Sequence, residues 1–136
     1  MRQALIDGIS ALTLGTFAVS QELPWDAAGT PLYLKNPKVF YVDEPDSTES
    51  SDTFNTLCAG AMPTVSTRVT EISVFVTVDA KQKPSNYDAL VSAVRGTKTL
   101  QSLGAVRSRE CDVSTTFEAD RLVTQFDFRF TELVIT

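Results

Sequence analysis

A chain of 136 residues, 43% of them hydrophobic, has the size of one globular domain and leaves no room for two large ones. Charged residues make up 21% and mean hydropathy is −0.01, values that exclude both global disorder and a chain dissolved in a membrane. Histidine is absent, which removes the commonest general base, the usual physiological pH switch and a favoured metal ligand together.

The opening MRQALIDGIS breaks its apolar run at Asp7, before a signal-peptide core can form, and no stretch approaches the roughly 18 apolar residues of a spanning helix. A protein made and kept in the cytoplasm is expected. Ala4, Leu5, Ile9 and Leu12 form the stripe of a short amphipathic helix over residues 2–14, weakened by Gly8 and ended by Gly15. Phe17, Val19 and Leu23 share an alternating face and predict a strand over residues 16–23, stopped by Pro24 and Trp25. Gly29, Pro31 and Pro37 punctuate the next stretch, in which PLYL reads as a short extended piece and KVFYVDE, from Lys38 to Glu44, as a further β-rich run. The segment PDSTESSDTFNT, from Pro45 to Thr56, holds one large apolar residue, Phe54, and predicts a long mobile loop reaching to about residue 67.

Beyond it, Ile72, Val74, Val76 and Val78 alternate with Glu71, Ser73, Thr77 and Asp79, with Phe75 as the apolar residue of the second face. A helix opens near Pro84, with Ser85 as N-cap and Asp88 as its capping partner, carries the stripe Tyr87, Leu90, Val91 and Val94, and weakens at Gly96. Two strands, over about 105–117 and 122–135, are joined near Glu118 to Arg121 as an antiparallel hairpin. In the last strand Leu122, Phe126, Phe128, Phe130 and Val134 share one parity, and Gln125, Asp127, Arg129 and Thr131 the other. The fold class expected is α+β: a mainly antiparallel β-sheet flanked by two helices in a single domain, with a long acidic loop and an extended C-terminal hairpin. Strands of 12–14 residues span roughly 40–45 Å, whereas a domain of this size has a radius of gyration of about 14 Å. Such strands twist strongly or overhang the core, and overhang favours pairing between subunits.

Charge is segregated. No basic residue lies between Lys38 and Arg68, an interval that holds Asp43, Glu44, Asp46, Glu49 and Asp52, so these five account for the whole net charge of −5. An acidic stretch of this kind disfavours phosphate binding. Cys58 and Cys111 stand 53 positions apart without a C-x-x-C or zinc spacing and read as free, reduced thiols. Phosphate loop, nucleophile elbow and paired-histidine helix are all missing. The carboxylate pairs Glu110/Asp112 and Glu118/Asp120 read as a solvated face or as cross-strand ion pairs with Arg107, Arg109 or Arg121, a basic group that the hairpin brings close together. Neither an enzyme nor a cofactor or metal site is expected, and the diluted basic group lacks the aromatic ladder of a nucleic-acid platform.

The order helix, strand, LPWDAAGTPLYLKNPKVFYVD from Leu23 to Asp43, polar loop, strong strand, helix and long hairpin, together with VFVTVDAKQKPSNYDALVSAVR from Val74 to Arg95, resembles the tail-terminator (tail-completion) proteins of long-tailed bacteriophages over nearly the full chain. The resemblance implies a structural virion protein at the head–tail junction. Six copies would form a ring that docks on the tail tube protein, presents its other face to a head-completion or connector protein, and lets DNA pass without specific binding and without membrane contact. In such a ring the acidic residues Asp43, Glu44, Asp46, Glu49 and Asp52 would face the lumen or neck, where fixed negative charge keeps DNA from adhering. The subunit interface would use the aromatics Trp25 and Tyr33 of the Pro-rich arm with Phe75, Arg107, Arg109 and Arg129 of the long strands. A tail-tube or head-closure protein and a monomeric binding module unrelated to phage are the alternatives.

Overall fold

The run VSTRVTEISVFVTVD is rich in β-branched residues, which pack well on a pleated surface, and in a computed structural model of the chain it forms the central strand of the fold. The structure describes residues 1–12, 14–51, 65–104, 106–118 and 120–135. In chain order these give α1 (Arg2–Ser10), β1 (Ala18–Val19), α2 (Leu32–Lys35), β2 (Val39–Val42), β3 (Asp46–Ser51), β4 (Val65–Asp79), α3 (Tyr87–Gly96), β5 (Ser108–Glu118) and β6 (Arg121–Ile135), with single 3-10 turns at Ala80–Gln82, Thr97–Thr99 and Gln101–Leu103. The fold is α+β: a six-stranded, mostly antiparallel sheet with two longer helices and one short one.

The strand order is β1-β2-β4-β6-β5, with β3 also paired to β4, and the β1–β2 pair is the parallel one. β4 and β6 pair over their full 15 residues, from Val65 opposite Ile135 to Asp79 opposite Arg121. This ribbon is about 50 Å long at ~3.3 Å per residue. β5 lines β6 from Ser108 opposite Thr131 to Glu118 opposite Arg121, and the connection places Asp120 at φ 62°, the left-handed conformation that two-residue hairpin loops use.

One face of the sheet carries α1 and α3. Leu5, Ile6 and Ile9 of α1 and Tyr87, Leu90 and Val94 of α3 pack on Ile72, Val74, Val76 and Val78 of β4 and on Phe126, Phe128 and Phe130 of β6. Gly8 leaves room on α1 for the end of the Leu100 side chain, which a Cβ there would meet. Tyr87 and Thr124 join their hydroxyls at 2.5 Å within the core. The second face has a smaller apolar cluster of Tyr33, Tyr41, Phe75 and Val123.

Several local expectations are corrected. The strand expected over residues 16–23 shortens to Ala18–Val19, since β1 meets only the start of β2. PLYL is helical rather than extended: Asp26 accepts hydrogen bonds from the amides of Ala28 and Thr30, Leu32 N donates to Pro24 O, and Pro31, at φ −67°, leads into one helical turn. Ser85 is not the N-cap of α3; the helix begins at Tyr87 after a turn closed by Tyr87 N donating to Pro84 O at 3.1 Å.

The acidic stretch is also not a loop from Pro45 on, because Asp46–Ser51 forms β3 along β4, from Asp46 opposite Glu71 to Ser51 opposite Ser66. Three residues, 43–45, span the same length of β4 as Ile72 and Ser73, so β2 and β3 are one edge interrupted by a bulge. Residues 65–67, assigned to the loop, belong to β4. Asp52, Phe54, Cys58 and the rest of 52–64 lie outside the described residues.

Candidate protein-docking surface

On the second face the pairing register stacks residues into rows across the strands. Tyr41, Phe75, Gln125 and Ser114 form one row; Ser73, Asp127 and Asp112 form the next; Asp46, Glu71, Arg129 and Glu110 follow. The helical turn of α2 and the preceding arm close over the first of these. Tyr33 stacks on Phe75 with ring centroids 4.8 Å apart, and Trp25 meets Phe75 edge-on at 5.1 Å and Tyr33 at 5.9 Å. Phe75 and Tyr33 are buried beneath it, while Trp25 keeps 37% of its surface exposed. Three of the residues expected at an interface, Trp25, Tyr33 and Phe75, are therefore one cluster.

Beside the aromatics lies a shallow depression of roughly 380 Å³ lined by Glu71, Ser73, Asp112, Asp127 and Arg129. Asp112 stands directly opposite Asp127, a like-charge pair that a sheet tolerates only with local help. Ser73 Oγ and Gln125 Nε2 supply it, each donating to Asp127 Oδ1 at 2.9 Å. Arg129 Nε lies 4.0 Å from Glu71 on the exposed surface, a contact too long and too wet to contribute much.

Arg107, Arg109 and Arg121 do not come together. Arg109 is opposite Phe130 at one end of β5, whereas Arg121 is opposite Glu118 at the other, about 30 Å away along the strand. Arg121 donates to Leu34 O at 2.9 Å, tying α2 to the hairpin. Arg109 is turned inward onto its own chain, donating to the carbonyls of Lys98, Leu100 and Gly104 at 3.0, 2.6 and 2.9 Å. Arg107 remains exposed at the entry to β5. Glu110 faces Arg129 across the ladder rather than Arg107 or Arg109.

At the far end of the ribbon the apolar rows stop at Ile72 and Phe130, and the helix side turns polar. Ser47 and Thr70 share a hydroxyl bond at 2.9 Å, and Arg68 sits between Glu49, at 2.7 Å, and Glu132, at 3.1 Å. Among the described residues, about 16 Å of paired strand, 65–69 against 131–135, lies beyond the last row that holds a core residue, Thr70 opposite Phe130. Two apolar side chains are exposed at its opposite ends, Phe117 at 73% and Leu133 at 49%. Among the described residues, the outer edges of β3 and β5 carry no paired strand.

Cys111 is buried, and burial pushes its thiol up to about 11, far from the thiolate that nucleophilic chemistry needs. Among the described residues no three His, Cys, Asp or Glu side chains gather in a way that would hold a metal ion, and no helix is long and apolar enough to cross a membrane. The described residues offer three kinds of surface: an aromatic cluster, a carboxylate band and two outer strands without a further paired strand. The acidic band of Glu71, Asp112 and Asp127 was not singled out from sequence, because only the register reveals which wet-face residues adjoin. No protein-family model matches the sequence, and no curated protein matches it.

Proposed function

We propose that this chain is a structural virion protein of a long-tailed bacteriophage, one copy of a ring that caps the tail tube and joins it to the head connector. The observation that supports this reading most directly is the 15-residue β4–β6 ribbon, which runs past the apolar core in a sheet whose outer strands, β3 and β5, carry no further paired strand among the described residues. Exposed edges are templates for pairing, and a closed circle of copies satisfies them without a free end. The order of elements, in which an amphipathic helix and an aromatic arm precede a long antiparallel sheet, agrees with the resemblance to tail terminators.

Light scattering across protein concentration, followed by electron microscopy with and without purified tail tubes, tests the proposal. Closed rings, free or seated on tube ends, are the expected result. Open polymers would point to a tail-tube or head-closure role. A particle that stays a monomer at high concentration, and beside tubes, would end this reading.

A further inference from the structure

The acidic segment has a counterpart. From Arg95 to Arg109 the chain carries four cations, Arg95, Lys98, Arg107 and Arg109, and no acid. The fold sets these two segments on opposite edges of one sheet. On one side, Asp43, Glu44, Asp46 and Glu49 line the β2–β3 edge, with Glu44, Asp46 and Glu49 exposed. On the other, the end of α3 and the 3-10 turns after it lie against β5, pinned by Arg95 Nε donating to Cys111 O at 3.0 Å and by the Arg109 bonds to the 98–104 carbonyls. No carboxylate lies within 4.0 Å of any of the four cations among the described residues.

The two edges also match in height and direction. Glu49 pairs with Arg68 and Arg68 with Glu132, while Ser108 pairs with Thr131 and Arg107 N donates to Thr131 O at 2.7 Å, so Glu49 and Arg107 stand level on opposite sides of the sheet. Because each step β3-β4-β6-β5 is antiparallel, β3 and β5 run antiparallel to one another. A second copy placed beside the first by a sideways step therefore meets it acid edge to basic edge. Its strands continue the alternation, with little shift along their length.

We infer that copies of this chain associate head to tail, the acidic β2–β3 edge of one against the basic β5 flank of the next. The inference rests on the reading that copies assemble, and it specifies the contact. Head-to-tail contacts are heterologous and close into rings when the rotation per copy allows. It also gives the acidic residues a different place from the channel wall: in the assembly they are covered by a neighbour. β5 itself also carries exposed Glu110 and Asp112, Glu110 with Arg129 directly across the ladder and Asp112 opposite Asp127, so the basic charge of this flank sits at its Arg107 end and on the end of α3 and the turns after it.

Paired charge reversals test it. Lys98→Glu/Arg107→Glu changes the basic flank and leaves the Arg95 and Arg109 tethers in place; Glu44→Lys/Asp46→Lys changes the acidic edge. Circular dichroism and melting curves check that both variants stay folded. The native chain is expected to associate in sedimentation or light scattering, less so as salt rises from about 50 to 500 mM. Each variant alone should need about tenfold or more protein to associate, since its two edges now repel, and an equimolar mixture should recover native assembly.

Variants that associate like the native chain, a mixture that fails to recover, or a native chain that stays monomeric at low salt would each overturn the contact. Retained rings in both variants would remove this contact and leave the ring cap standing. Recovery into open chains that never close or seat on tubes would keep the contact and remove the cap.

Discussion

Thr77 shows how one residue registers the covering of a sheet face. Alternation alone places it with Glu71 and Ser73 on a wet side, yet it is fully buried, because the Tyr33–Phe75 cluster closes that end of the second face. Its Oγ1 has no hydrogen-bond partner among the described residues. A buried hydroxyl left unpaired is destabilising, so Thr77→Val should raise stability by about 1 kcal/mol, read as a higher denaturant midpoint with unchanged slope. Cys111 and Tyr87 make a second prediction at this scale. Burial raises both, the thiol from 9.0 to about 11, so the folded chain holds these protons more tightly than the unfolded chain does. Their stabilising contribution is complete below about pH 9 and is lost as pH rises through the folded values. Melting temperature should therefore fall between pH 9 and 11, and Cys111→Ala should blunt the fall.

At the scale of elements, legibility followed the strength of periodicity. β4, α3 and β6 carry long, regular apolar patterns and were readable, as was the hairpin, whose charged tip between Glu118 and Arg121 marks the turn. Two short elements were not. The sequence of β3, DSTESS, has no apolar alternation because both its faces lie beyond the core, and what holds it is the ladder to β4 with the Ser47–Thr70 and Glu49–Arg68 bonds. The turn of α2 depends on the Asp26-centred loop that precedes it, an arrangement with no periodic signal. The aromatic cluster was half legible: Trp25, Tyr33 and Phe75 stood out one by one, but only the fold shows that they touch. β6 carries the deepest part of the core, with Phe126, Phe128 and Phe130 all nearly inaccessible. Phe128→Ala should cost about 3–5 kcal/mol, visible in chemical denaturation, and more than any single change on β3.

The described residues form a sheet with α1 and α3 on one side and, on the other, the short α2 and its aromatic cluster beside a polar expanse. That asymmetry decides what Trp25 does. Its ring lies edge-on to Phe75 and Tyr33, and those two stack directly on each other at 4.8 Å. Replacing Trp25 by Ala therefore removes two aromatic contacts, worth about 1–2 kcal/mol together, and leaves the main core on the helix side untouched. The protomer should stay folded, with a melting temperature lowered by only a few degrees. Assembly should suffer far more, because an aromatic with 37% of its surface free on an otherwise polar face is the kind of residue that anchors a contact between proteins. Light scattering and thermal melting on the same sample separate the roles: a folded monomer identifies Trp25 as an anchor, whereas a chain that loses its cooperative transition identifies it as the lid of the second core. Should Trp25→Ala form rings as the native chain does, the contact between copies lies along the sheet edges alone.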